Sequence, residues 1–161
     1  MTSREEFYKN LHKVRSVSAA LFFDEKGKIL IVKPSYRDDW LVAGGHSEEG
    51  ESPRQTCKRE IKEELGLDIE PGKLLCIDYL VEPHPQKESF EFIFEGGVLS
   101  REKIKNIELE EDEIEEYKFV QLQELSDFCD NDLIYRIKES IKFLKGEKDD
   151  VYIENKYNIK L

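Results

Sequence analysis

The sequence is short of everything that would staple a fold or anchor it to a large anionic partner. Only three cysteines occur among its 161 residues, Cys57, Cys76 and Cys129. An odd count, without Cys-x-x-Cys spacing or a Cys/His cluster, argues against a disulfide framework and against a zinc site. The three read most simply as small, buried, unreactive hydrophobes. No apolar run approaches the roughly 20 residues needed to span a bilayer, and the opening MTSREEFYKN contains no apolar stretch of a secretory signal. A cytoplasmic location with no membrane partner is the expectation. Positive charge is also scarce: 25 Lys and Arg face 36 Asp and Glu, a net charge of −11. That balance repels nucleic-acid backbones and anionic membranes, so no nucleic-acid partner is expected. A small polyanionic substrate would need local positive charge, which bound divalent cations supply readily in an acidic protein.

What is present is globular. Apolar residues make up 39% and aromatics 11%, interspersed with charge. The length points to one domain over residues 1–161, long enough to bury a core without staples. There is no repeat, low-complexity tract or linker. A short helix is predicted over 3–12, then a hairpin of strands 14–23 and 29–33 turning at Gly27, and a short strand WLVA over 40–43. Strands follow over 74–81 and 89–99, the second alternating through Phe90, Phe92 and Phe94 with one buried face and a bend at Gly96–Gly97. Residues 101–116 read as charged and partly loop, 117–122 as a strand, and 132–146 as an amphipathic helix closed by Gly146. Residues 151–161 read as a last strand or a loose end. Strands before and after helices give an α+β class or a mixed-sheet sandwich.

The segment GGHSEEGESPRQTCKREIKEELGL, residues 44–67, carries the chemistry. Ser52 is a good N-cap, Pro53 falls at N1, and Gln55 at N3 completes a capping box. Gly66 sits where a left-handed residue ends a helix, so the helix should run over 53–65. Cys57, Ile61 and Leu65 repeat every four residues and should face the core. Glu60, Glu63 and Glu64 stand at i, i+3 and i+4 and share another face, where three carboxylates repel one another. Oxygen ligands of this kind suit a hard cation such as Mg²⁺ or Mn²⁺. Gly44 and Gly45 let backbone approach a metal or a phosphate without an intervening Cβ. The implied chemistry is a divalent ion holding a diphosphate and a water within reach of each other. Glu-rich helix faces are common and usually only solvated; the spacing is what raises this one above that background.

Gly45, Glu51, Arg59-Glu60-Ile61, Glu63-Glu64 and Gly66-Leu67 form a complete Nudix box. The chain therefore resembles the Nudix hydrolases, with the box spanning 23 residues and the surrounding pattern most of the chain. The resemblance implies an α/β/α sandwich around a mixed sheet. It implies hydrolysis of a nucleoside diphosphate linked to another group, with Mg²⁺ or Mn²⁺ as cofactor. It implies metal binding by Glu60, Glu63, Glu64 and the Gly45 carbonyl, with Glu60 or Glu64 as base for the attacking water. Arg59 orients the glutamates and Glu51 supports them. Glu113, shortly before an aromatic strand, is the candidate carboxylate from outside the box. Ala43 stands where many members have Pro, and Thr56-Cys57 where Ala-Ala is common; both read as packing changes.

The box says which bond is cut and little about what is attached to it. Tyr36 could stack on a base and Arg37 could meet a phosphate. Trp40 reads as core, and His46 as an exposed loop residue near the phosphates. Pro83, at an offset seen in ADP-ribose members, tips the substrate slightly toward a nucleotide sugar; a nucleoside triphosphate stays open. The alternative to an enzyme is a nucleotide-sensing module of the same fold without turnover, though such relatives usually lose a box glutamate and this chain has lost none. The partner is a small nucleotide, and a homodimer is left open.

Overall fold

The computed structural model describes residues 4–81 and 88–155. Pro83, His84 and the last six residues of the predicted C-terminal segment lie outside that range. The elements run α1 (Arg4–Lys9), β1 (Arg15–Asp24), β2 (Ile29–Pro34), β3 (Gly44–His46), α2 (Pro53–Leu65), β4 (Leu74–Val81) and β5 (Glu88–Leu99). They continue with α3 (Arg101–Lys105), β6 (Ile114–Val120), a 3-10 turn (Leu122–Asp127), α4 (Asn131–Leu144) and β7 (Tyr152–Asn155). The sheet order is β6-β2-β1-β5-β4-β7, with β3 pairing only to β1. β1 runs parallel to β5 and β4 parallel to β7, while the other pairs are antiparallel. This is the expected mixed sheet.

Alternation along β1 and β2 sends side chains into two cores, one on each face of the sheet. Ala20, Phe22, Leu30 and Val32 meet Cys57, Ile61 and Leu65 of α2. Ala19, Leu21, Ile29 and Ile31 meet Leu133, Ile134 and Ile137 of α4. The sandwich therefore has α2 over one face and α4 over the other, as expected. Trp40 is buried and packs edge-on against Phe128, ring centroids 5.5 Å apart.

Three expectations need correction. The short strand predicted over 40–43 is displaced to Gly44–His46; Leu41 makes only an isolated bridge to Val32. The reason is close approach: a side chain at Gly44 would run into Ala19 and the Ser18 carbonyl, so only glycine can lie this near β1. β5 is buried on both faces rather than one, since Ser89 and Ile93 are buried opposite partly buried Phe90 and Phe92. It lies between β1 and β4 with helices on both sides, which takes away the solvent-facing side that strict alternation assumes. The last aromatic strand begins at Ile114, inside the charged stretch, because β6 pairs along nearly all of β2.

Candidate active site

The local signals for α2 act as predicted. Ser52 Oγ accepts from the Gln55 N–H, and the Gln55 side chain accepts from the Ser52 N–H at 2.9 Å. Gly66 ends the helix at φ 69°, its N–H donating to the Lys62 carbonyl. These caps fix which face of α2 looks where. Cys57, Ile61 and Leu65 are fully buried in the core. Glu60 and Glu64, one turn apart, are also buried but lie against β3 instead, on the wall of an open cleft of about 370 Å³. Tyr36, Gly44, Gly45, His46, Arg59 and Glu113 help to line it.

Gly45 is pressed so close that a Cβ there would collide with the Glu60 carboxylate. The Gly44 N–H donates to Glu64 Oε2 at 2.8 Å. Glu113 arrives from the start of β6 and is held near Tyr36 because its carbonyl accepts from the Ser35 N–H at 2.8 Å.

Arg59 ties the segment together. Its Nε and Nη2 donate to the two oxygens of Glu51 at 2.8 and 3.0 Å, a fork-to-fork pair. Nη1 donates to Glu60 Oε1 at 2.9 Å and to Glu63 Oε2 at 2.8 Å, and Nη2 also reaches the His46 carbonyl at 3.0 Å. The fork with Arg59 is the main cause that holds the Glu51 carboxyl down at about 2. The same carboxylates, Glu51 first, drive the Arg59 pKa upward.

Glu64 behaves oppositely. Burial pushes its carboxyl up to about 8; neighbouring Glu60, Glu113 and Glu63 push the same way, and the Gly44 N–H only partly offsets them. Burial also raises Glu60, against the pull of Arg59.

Most of the sequence-predicted residues thus share one place. Glu60, Glu64, Glu113, Arg59, Gly45 and Tyr36 line the cleft, and Glu51 sits behind Arg59. Glu63 is half exposed and turned to Arg59. Arg37 lies apart: it lines the neighbouring cavity and pairs with Asp39 at 3.1 Å and Asp130 at 3.5 Å.

Among the described residues, no three Asp, Glu, His or Cys side chains already converge as a metal cage. Glu60 turns to Arg59 and Glu64 to Gly44, as mutually repelling carboxylates do when protein donors are at hand. The donor set nevertheless fits a hard divalent ion: carboxylate oxygens, a surplus of negative charge, and a glycine backbone with no Cβ in the way. Glu60, Glu64, the Gly45 carbonyl, Glu63 and Glu113 would hold it.

The sequence reading missed the hydroxyl relay beneath the site. Thr56, taken as a packing change, is fully buried, and its Oγ1 lies 3.0 Å from Glu51 Oε2 and 2.9 Å from Ser47 Oγ. Ser47 in turn reaches Ser16 Oγ at 3.0 Å. A hydroxyl on the buried side of the box, five residues after Glu51, was the signal available.

Cys57, Cys76 and Cys129 are free and buried, and burial pushes each thiol up to about 12, so they are inert as read. No helix among the described residues is long and apolar enough to cross a membrane.

A model of the NUDIX domain matches residues 12–140, and the chain belongs to that family. The human 8-oxo-dGDP phosphatase NUDT18 is 33% identical over 92 residues, which span 54% of this chain and 28% of that protein. The chain thus covers little more than a quarter of that relative. Among solved structures, a MutT protein from Methanosarcina mazei superposes with a TM-score of 0.67 at 23% identity, covering 87% of this chain and all of that one. The NUDIX domain of Shewanella oneidensis NrtR, crystallised with ADP ribose, superposes with a TM-score of 0.68 at 16% identity over 89% of this chain and 99% of that one. At these identities the likeness speaks to the fold.

Proposed function

We propose that the chain hydrolyses the diphosphate linkage of a nucleoside diphosphate derivative, with Mg²⁺ or Mn²⁺ held at the cleft. The observation that carries this reading is the excess of buried acid: Glu60 and Glu64 are both less than a tenth exposed on the cleft wall, and Glu113 faces them. Buried carboxylates are costly unless paired, and one guanidinium cannot neutralise this set. A divalent cation bound there supplies positive charge against phosphate oxygens and lowers the pKa of a water.

The chain's own residues do the rest. Arg59, anchored by Glu51, fixes the Glu60 carboxylate, and the Gly44 N–H fixes Glu64. Glu60 or Glu64 accepts the proton as the water oxygen bonds to one phosphorus and the bridging P–O bond breaks. The departing phosphate keeps the bridging oxygen and its electron pair. Free, unreactive cysteines support the cytoplasm as its location.

NUDT18 is named for 8-oxo-dGDP and the NrtR domain was solved with ADP ribose. A nucleoside diphosphate and a nucleotide sugar are therefore natural trial substrates, beside the nucleoside triphosphate that the sequence leaves open. The test is a hydrolysis panel of all three kinds with Mg²⁺ and Mn²⁺. Release of pyrophosphate marks the triphosphate route, release of orthophosphate the diphosphate, and release of a sugar phosphate the nucleotide sugar. Absence of turnover across the panel with either ion rejects the reading.

A further inference from the structure

On the other side of β3 from the carboxylate cleft lies a second cavity of about 290 Å³. The two share Tyr36, Gly44, Gly45 and His46 as lining, so a ligand held at one reaches the other across nearly bare backbone. The second cavity has an apolar floor, with Val17, Ala19, Leu80 and Ile93 from the sheet and Leu133 from α4.

Its polar wall is held from behind. Asp78 and Glu91 are direct cross-strand partners on β4 and β5, so their side chains are neighbours on the α4 face. Fully buried Asp78 takes Arg136 of α4, Nη1 to Oδ2 3.2 Å, and Arg136 is itself only 8% exposed. Fully buried Ser89 donates to Glu91 Oε1 at 2.7 Å. Arg136 and Glu91 both line the cavity. One fixed guanidinium and one fixed carboxylate thus stand beside an apolar floor, each with a buried partner setting its position.

We propose that Glu91 and Arg136 determine specificity by reading a guanine-type base in this cavity. The proposal rests on the reading that the neighbouring cleft takes the diphosphate of a nucleoside diphosphate derivative.

A carboxylate accepts only, and its two oxygens match two adjacent N–H donors. A guanidinium donates only, and matches one or two adjacent acceptors. Guanine carries both patterns: N1–H beside the 2-amino group on one edge, and O6 beside N7 on another. Adenine and cytosine place one amino group beside a ring-nitrogen acceptor, and uracil flanks its single N–H with two carbonyls. Each of those sets a lone pair against a Glu91 oxygen. Asp130 and Asp132 add further acceptors to the lining, and Asp130 already engages Arg37. The flat ring then has an apolar floor to lie on and two opposed polar groups to fix its orientation.

The test compares GDP, IDP, ADP and UDP at fixed Mg²⁺, by kcat/KM and by calorimetric binding. IDP differs from GDP only in lacking the 2-amino group. The expected preference for GDP over IDP is about tenfold or more, the cost of covering an acceptor with a base that lacks the matching donor. Glu91→Gln should bring the GDP-to-IDP ratio close to one, and Ser89→Ala, which frees Glu91 to move, should narrow it part of the way. A ratio within one protein is not moved by a smaller folded fraction, so a merely structural role for Glu91 leaves it intact. Equal values for GDP and IDP in the unaltered protein overturn the proposal, as does an unchanged ratio in Glu91→Gln. Cleavage without base preference removes this proposal and spares the hydrolytic reading. Selective GDP binding without cleavage of any nucleotide supports this proposal and removes the other.

Discussion

β3 has carboxylates on both sides, in different company. On the α2 side, Glu51, Glu60 and Glu63 all draw on the single guanidinium of Arg59, and Glu64 has a backbone N–H. On the α4 side counter-groups are more plentiful: Asp78 has Arg136, Glu91 has Ser89, and Arg37 serves Asp39 and Asp130. Burial is comparable, since Glu60, Glu64, Asp78 and Arg136 are all less than a tenth exposed. Where the protein supplies its own counter-groups, a buried charge serves structure or recognition. Where it withholds them, the fold carries a standing electrostatic cost that a retained proton or a bound cation would relieve. The carboxyl pushed up to about 8 is on the withheld side, at Glu64.

The sharpest way to break this contrast is Glu64→Gln. It keeps shape and removes charge. Turnover with Mg²⁺ should fall by about 1,000-fold, the range for losing a group that holds or moves a proton. The cation-free melting temperature should stay level or rise, because the buried side chain no longer has to take up a proton or bear an unpaired charge on folding. Steady-state hydrolysis and a thermal melt without metal check the two halves separately. A variant that melts much lower without metal would make Glu64 structural and dissolve the distinction.

Asp78→Ala probes the balanced side and should do the reverse. Removing the acid strands a buried guanidinium at an expected loss of about 3 kcal/mol or more in urea unfolding, with or without Mg²⁺. Arg59→Lys tests the hinge between the two regimes. Lysine keeps the charge but cannot fork onto both oxygens of Glu51, so a loss of about 2 kcal/mol is expected in the same assay. That loss should be partly recovered in Mg²⁺, which would take over Glu60 and Glu63; Asp78→Ala should show no such recovery.

These two regions also differ in how far they could be read from the sequence. The α2 side was legible almost whole, because one helix and its caps carry it and helical spacing converts directly into shared faces. Ser52, Gln55 and Gly66 set the helix, and Glu60 and Glu64 followed. Glu63, at i+3 from Glu60, shares the sector and lies half exposed against Arg59. The α4 side was legible only at its border, in Tyr36 and Arg37. Asp78, Glu91 and Arg136 come from three elements, and their meeting depends on the register of β4 against β5 and on where α4 lands. The strand displaced to Gly44–His46 failed for a related reason, since pairing with β1 rewards residues without side chains over residues with high strand propensity.

The smallest effect is the most specific to the unbalanced side, and it lies in pH. The Glu64 carboxyl moves from an ordinary 4.5 to about 8 in the fold. Between those values the folded protein keeps a proton that the unfolded chain has released. Cation-free stability should therefore decline as pH rises from 4.5 toward 8 and level off above it. Glu51, lowered to about 2, contributes with the opposite sign at lower pH: its stabilisation is complete above 4.5 and is lost as pH falls toward 2. A divalent cation competes with the Glu64 proton, so apparent Mg²⁺ affinity should rise about tenfold per pH unit between 6 and 7, or about 1.4 kcal/mol, and flatten above 8. Mg²⁺ titrations followed by thermal melting at pH 6, 7, 8 and 9 read this directly. In Glu64→Gln the slope should vanish; a slope that survives assigns the exchanged proton to another carboxylate, with Glu60 the nearest in kind, and moves the centre of the unbalanced side one turn toward the N-terminus of α2.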